Sequence, residues 1–485
     1  MQTIFYNAHL VDANTDCQGA VLVNDDTIFA VIHGDFSDAD SARNLANLFR
    51  TGENCTSGNC SGCKTDCELN FVNCRGQVLM PSFIDMHVHF RYPGQTQKED
   101  LSTGLNAAVA GGYGTLVLMP NTNPVVSTSE LAHSIEEDAA KFGKAQVFQS
   151  VSLTKDFDGK TTTHLDDLHG VPLLTEDGHD VQNSLVMLDA MEKAAVKGAI
   201  VSCHCEDEAF NAEARKLRLM ALENYTAYDN SQSNENPDAQ LSLLQAQTFM
   251  EQANRLLALA EDNATFRNLE LAEKAGCRIH IAHVSTKNSL EAIKKAWANS
   301  DFAPNVTCEV MPHHFALEIA SENVRENEDE TYEDKNLRLI VNPPIRNNAD
   351  RISLVQALCD KNNDNIVIST DHAPHTLEDK QNGAPGFPGL ETAFAVAYTT
   401  LVKTDNCGIK RLSELMSANP ARILNLHDRG ILASNKKANL VLVDTNEDWI
   451  VDSSKFFTKG KMCPFEGMEL TGKVVGTWFC GQKVF

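Results

Sequence analysis

His87-Val88-His89 lies in the apolar run VLMPSFIDMHVHF (78–90), whose pattern reads as a β-strand. Residues i and i+2 of a strand point to the same side, so both imidazoles face one point. Other apolar runs also end in metal-capable side chains. They are Glu176-Asp177 in VPLLTED (171–177), His204 in AIVSCHCED (199–207), His283 in RIHIAHVS (278–285) and Asp371 in NIVISTDHAP (365–374). Each alone has a bland explanation, as a hydrogen-bonded structural histidine or, for Asp371, as the cap of a following helix. Four imidazoles and two carboxylates together form a ligand set. Such nitrogen and oxygen donors suit Zn²⁺, with Mn²⁺ or Co²⁺ as substitutes. One catalytic zinc takes three protein ligands and keeps an open position. A set of six therefore points to two ions with one carboxylate between them, an arrangement that can hold hydroxide and polarise an electrophile together. That is hydrolytic chemistry.

These residues need a scaffold that brings distant strand ends to one place. Three further strand-like runs, GTLVLMPNT (114–122), QVFQSVSL (146–153) and NVTCEVMPHH (305–314), bring the total to eight, mostly separated by helical patterns. Near-continuous apolar strands are buried on both faces, as in a parallel sheet covered by helices. Eight of them predict an α/β fold, a (β/α)₈ TIM barrel, whose chemistry sits at the C-terminal ends of the strands. The alternating segments near residues 1–33 and again near 437–485 predict a small discontinuous β domain drawn from both termini. The expected divisions are 1–76, 77–430 for the barrel, and 431–485. One connection, from Asp207 to about Gly276, is roughly twice the length of a helix and its loops. Its polar middle reads as a surface excursion, either a lid or subunit contact or a tolerated insertion.

The chain has 485 residues, 42% hydrophobic, enough for a barrel and a satellite domain. Its 66 acidic and 41 basic side chains leave a formal charge of −25, which argues against nucleic acid and anionic membranes as partners. An anionic substrate would need a local positive charge to overcome that field. No apolar stretch reaches the ~20 residues of a membrane span, and no secretory signal is evident, so the expected location is cytoplasmic. Cys55, Cys60, Cys63, Cys67 and Cys74 crowd a polar insertion at about 52–75. Their spacing could hold a structural zinc or an iron–sulfur cluster but matches no strict signature.

The segments PSFIDMHVHFRYPG, GGYGTLVLMPNTNP, HCED, HVSTK, MPHH, VNPPIR, STDHAPH and GLETAF resemble the dihydroorotases, the type I group of the amidohydrolase superfamily. The resemblance covers nearly the whole chain outside the two insertions. It implies reversible hydrolysis of (S)-dihydroorotate to N-carbamoyl-L-aspartate, in pyrimidine (UMP) biosynthesis, through a bridging hydroxide on two Zn²⁺ or other divalent metal ions per subunit. By it, His87, His89, Asp177 and Asp371 would bind one ion and Asp177, His204 and His283 the other. Many superfamily members bridge with a carboxylated lysine on strand four. VPLLTEDG has none, and Asp177-Gly178 matches the Asp-bridged pattern, with Glu176 as the competing bridge. Asp371 would also be the catalytic proton shuttle. Arg91 continues the face of His87 and His89 and can grip a carboxylate bidentately. The resemblance gives it Asn121 as amide partner, and adds His89, Asn342, His375 and the Pro385-Gly386 backbone as substrate contacts.

Two other activities share these motifs in part. Allantoinases and hydantoinase-type dihydropyrimidinases share the barrel and the HxH motif but usually carry the strand-four lysine. A non-catalytic dihydroorotase-like scaffold for aspartate transcarbamoylase would have lost ligands, whereas every ligand position here is filled. The resemblance leaves room for a homo-oligomer and for a transcarbamoylase partner, beside the small anionic substrate.

Overall fold

A computed structural model of the chain describes residues 1–38, 40, 41, 43–46, 69–231, 236–319 and 331–485. Cys55, Cys60, Cys63 and Cys67, and with them the question of a cysteine-held metal, lie outside the described residues. Cys74 is buried among Leu79, Ala438 and other apolar side chains, and burial pushes its thiol up to about 12.

Eight parallel barrel strands follow one another with helices between them. They are β6 (Phe83–Val88), β7 (Tyr113–Leu118), β8 with β9 (Gln146–Gln149, Val151–Ser152), β10 (Leu173–Thr175), β11 (Ile200–Cys203), β12 (Arg278–Ile281), β13 (Val306–Val310) and β14 (Ile366–Ile368). They pair in chain order, β6-β7-β8 and β9-β10-β11-β12-β13-β14. Ser150 interrupts the third strand, its hydroxyl donating to the Leu118 carbonyl at 2.6 Å. The ring closes at a seam where Val88 bridges His372 in parallel and the His89 amide donates to the His372 carbonyl at 2.8 Å. Strands such as FIDMHV and VTCEV are buried along their whole length, as two covered faces require.

The terminal segments form one eight-stranded sheet. It runs β17 (Gln482–Lys483), β16 (Glu469–Phe479), β15 (Leu440–Ile450), β5 (Val78–Pro81), β1 (Gln2–Val11), β2 (Asp16–Asn24), β3 (Thr27–His33), with β4 (Leu69–Asn73) against β1. The run 78–90 is thus two strands rather than one. After Ser82 the chain leaves the terminal sheet, where Leu79 pairs with Leu442, and enters the barrel. Phe83 marks the junction, stacked on Phe394 at 5.4 Å.

The long connection after β11 is a pair of helices, Glu208–Asp229 and Pro237–Ala275. Pro237 opens the second at a position where its missing N–H costs nothing, and Gly276, at φ +63°, ends it in the left-handed region. Alanines at the crossing (Ala214 with Ala253, Ala221 with Ala246) let the backbones approach closely. The second helix is shared between two tasks. Its end, through Ala264, Leu269 and Ala272, packs into the barrel core, while its beginning carries the excursion outward. No described helix is long and apolar enough to cross a membrane.

Candidate active site

All six candidate ligands converge at the C-terminal mouth of the barrel. His87 lies in β6 and His89 just after it; Asp177, His204, His283 and Asp371 follow β10, β11, β12 and β14 within three residues. All six are buried. His87 Nε2 lies 3.2 Å from Asp177 Oδ1 and 3.6 Å from Asp371 Oδ1. His89 Nε2 lies 3.0 Å from Asp371 Oδ1 and 3.5 Å from Asp177 Oδ2. His204 Nδ1 stands 3.4 Å from Asp177 Oδ1 and 2.8 Å from His283 Nε2. Asp177 thus has three imidazoles around one carboxylate. Two triads, His87 with His89 and Asp371, and His87 with Asp177 and His283, each bring their ligand atoms within 4.8 Å of one another.

The donor set fits divalent cations. Imidazole nitrogens crowd carboxylates in a buried space, and His283 Nδ1 is buried with no hydrogen-bond partner among the described residues. An unpartnered buried nitrogen is costly unless something else takes its lone pair. Arg91, His283 and Asp371 also adopt positive φ (+54°, +33° and +48°), sparsely populated for such residues and concentrated at functional sites.

The electrostatics follow from this crowding. Burial pulls the His87 imidazole down, but Asp177, Glu309 and Asp371 outweigh it and hold it well above its ordinary value. Burial, then His204 and His87, push His283 down to about 3. Burial would raise Asp177, yet His87 and His89 keep it well below the usual carboxylate range. Glu176, the alternative bridge, is turned away. Its carboxylate accepts the Thr154 amide at 2.9 Å and the Thr154 hydroxyl, and burial raises it to about 7.

The candidate substrate residues divide into two groups. Arg91 Nη2 lies 3.1 Å from His375 Nε2, which lies 2.9 Å from the Pro385 carbonyl, and Arg91 Nε has no partner among the described residues. Asn121 also contacts the cluster: its Oδ1 is 2.9 Å from His89 Nδ1 and one Nδ2 hydrogen is donated to Asp177 Oδ2 at 3.0 Å. Asn342 donates from Nδ2 to Glu206 Oε2 at 3.0 Å, and Glu206 stands 3.4 Å from His204 Nε2. Gly386, at φ +120°, leaves no room for a side chain, since a Cβ would sit 2.8 Å from the Ala373 carbonyl oxygen. Its own N–H donates to the Ile340 carbonyl at 3.0 Å.

Four buried polar side chains were not singled out from the sequence. Glu309 in β13 lies 2.7 Å from His87 Nδ1 and 3.3 Å from His280 Nε2. Glu206 and Arg218 belong to the Asn342 group. Lys380, fully buried, donates to the carbonyls of Ile340 at 2.9 Å and Gly386 at 2.8 Å, tying two loops at the mouth. The signals were slight: a lone carboxylate in VTCEV, the Glu of HCED, and nothing local for Arg218 or Lys380.

Burial, then Arg218, pull the Lys380 amine down to about 7. An unfolded lysine titrates near ~10.4, so between that value and about 7 the unfolded chain binds the proton that the folded one resists. The Lys380 contribution to stability therefore falls as pH drops through this window and levels off below it. Lys380→Met removes the titration. The Tm of the wild type relative to Lys380→Met is expected to rise steadily from pH 7 to 10, and a difference flat with pH would refute it.

Comparison with known proteins agrees with this scaffold. Residues 78–484 match the Amidohydrolase family model. A dihydroorotase of Clostridium botulinum is 34% identical over 485 residues, covering 99% of both chains. One from Lactobacillus acidophilus is 34% identical over 420 residues, 84% of this chain and 88% of its own. Among solved structures, the L-hydantoinase (dihydropyrimidinase) of Arthrobacter aurescens superposes with a TM-score of 0.76 at 22% identity, covering 99% of this chain and 95% of its own. The dihydropyrimidinase of Brevibacillus agri gives 0.74 at 19%, covering 100% and 95%. With the barrel, the His and Asp cluster at its mouth and a family match spanning most of the sequence, this chain belongs to the amidohydrolase family, beside the dihydroorotases it resembles over its full length.

Proposed function

We propose that the protein is a dihydroorotase, interconverting (S)-dihydroorotate and N-carbamoyl-L-aspartate in pyrimidine biosynthesis on two divalent metal ions, with Zn²⁺ the expected species. The observation that carries the substrate is Arg91, a buried guanidinium at the rim of the His and Asp cluster, with no carboxylate hydrogen-bonded to it among the described residues. In a chain of charge −25 it supplies the local positive charge that a ring carboxylate needs. The dihydroorotase relatives support the same reading.

His87, His89, Asp177 and Asp371 would hold one ion, and Asp177, His204 and His283 the other, with Asp177 shared. When bound, the ions supply Lewis acidity and lower the pKa of water from 15.7 towards about 7. The protein's own side chains do the rest. Arg91 binds the ring carboxylate through paired N–H donors and so turns the ring amide towards the cluster. Asn121 orients His89 and Asp177, and its remaining amide N–H joins Arg91 on the ring carboxylate. Asp371 takes a proton from the attacking water on a carboxylate oxygen and delivers it to the ring nitrogen as the C–N bond breaks; in ring closure the transfers reverse. Asn342, His375 and the Pro385-Gly386 backbone wall the ring.

A substrate panel tests this. Turnover of dihydroorotate is expected to exceed that of allantoin, hydantoin and dihydrouracil by at least about 10³-fold, since a site built to bind a carboxylate rejects rings that lack it. About two ions per chain are expected by elemental analysis. Comparable turnover of hydantoin, or none of dihydroorotate in metal-replete protein, would overturn the reading.

A further inference from the structure

We propose that Arg218, on the first helix of the excursion, is a positioning residue that sets the direction of the Asn342 amide and so the kind of substrate atom this part of the mouth accepts. The inference rests on the dihydroorotase reading above. Arg218 is buried on the helix Glu208–Asp229. Its Nη1 donates to Asn342 Oδ1 and its Nη2 to the Val341 carbonyl at 3.0 Å, so the guanidinium fork grips two consecutive residues of the loop. On the other side of the same amide, Asn342 Nδ2 donates to Glu206 Oε2 at 3.0 Å.

The two neighbours are chemically one-sided. A guanidinium offers only donors and an ionised carboxylate only acceptors. Turning the amide over would set its NH₂ against the guanidinium and its carbonyl against the carboxylate, two repulsive pairs in a buried space. One orientation therefore survives. It turns the amide oxygen to Arg218 and leaves Asn342 one N–H that is uncommitted among the described residues. Asn342 therefore keeps a free N–H with which it can address a ring carbonyl or carboxylate oxygen.

This assigns a task to the two-helix excursion. Arg218 lies on the first helix of the excursion and reaches residues 341 and 342 from 124 residues earlier in the chain. Arg218 itself acts through Asn342. Removing it would free the amide to rotate, weakening substrate binding without altering the reacting groups.

A double-mutant cycle with dihydroorotate separates this from a role in folding alone. Arg218→Met is expected to raise KM about tenfold with kcat within about threefold, and Asn342→Ala to do the same. If Arg218 works through the amide, the double variant is no worse than Asn342→Ala alone. Ion content is expected to stay at the wild-type level in all three. Arg218→Lys, which keeps the charge but loses the fork, provides the same cycle if Arg218→Met does not fold, with a smaller rise in KM. Losses that multiply in the double variant, or an unchanged KM in Arg218→Met or Arg218→Lys, overturn the inference while leaving the functional reading intact. A metal-replete wild type inactive on dihydroorotate overturns both.

Discussion

Asp371→Asn is expected to cut dihydroorotate turnover by about 10³-fold or more while KM moves by less than about threefold. The Asp371 carboxylate is buried, with Oδ1 3.0 Å from His89 Nε2 and 3.6 Å from His87 Nε2. It is the carboxylate at the cluster whose position fits a proton carrier, because Asp177 is enclosed by His87, His89, His204 and the Asn121 amide. Asparagine keeps the size and an oxygen donor but cannot accept and return a proton at neutral pH. The contacts made by Arg91 remain, so binding is retained while the transfer to the ring nitrogen is lost. Steady-state kinetics normalised to bound metal check this. Near-normal turnover per metal-loaded chain would remove Asp371 from the chemistry.

Weakening metal binding from a distance is the second large effect. Glu309→Gln is expected to lower affinity for the divalent ions by about 10–100-fold. Glu309 Oε1 is 2.7 Å from His87 Nδ1 and 3.4 Å from the His283 amide nitrogen, and Oε2 is 3.3 Å from His280 Nε2. An ionised carboxylate there fixes the proton of His87 on Nδ1 and leaves the Nε2 lone pair for the cluster. Burial would raise the Glu309 carboxyl, but His87 and His280 hold it well below the ordinary range, so it stays ionised. A glutamine must turn its NH₂ towards one imidazole and loses the charge that steadies both. Competition with a chromophoric chelator measures the change. Activity lost at limiting metal is expected to return at high metal concentration, and unchanged affinity would reduce Glu309 to a filler of the barrel.

The scaffold was readable because parallel barrel strands are buried on both faces and appear as apolar runs, and because side chains at their ends stand out against those runs. His87, His89, His204 and His283 are such side chains. The split at Ser82 was hidden, since Val78–Pro81 and Phe83–Val88 are both apolar and only hydrogen bonding assigns them to different sheets. Glu176 and Asp177 are adjacent, and the Thr154 contact that removes Glu176 is made across strands. Glu309 escaped because its meaning lies in His87, 222 residues away. Arg218 and Lys380 escaped for the same reason. Their partners are backbone carbonyls and an amide on loops, which leave no residue-type signature.

The seam at which Val88 meets His372 bears on the order of assembly. His89 and Asp371 are 282 residues apart in the chain, yet they share a hydrogen bond at the proposed metal centre. In an otherwise unstructured chain, bringing two such points together costs about 5 kcal/mol of closure entropy. Each strand between β6 and β14 lies beside its neighbour in the chain, which divides that span into short steps, and β6 meets the β14 end only at the seam. A nascent chain thus carries its first ligands early but completes the set when the ring shuts. Binding at the His87, His89 and Asp371 set is thereby coupled to closure of the ring, whereas Asp177, His204 and His283 follow the neighbouring strands β10, β11 and β12.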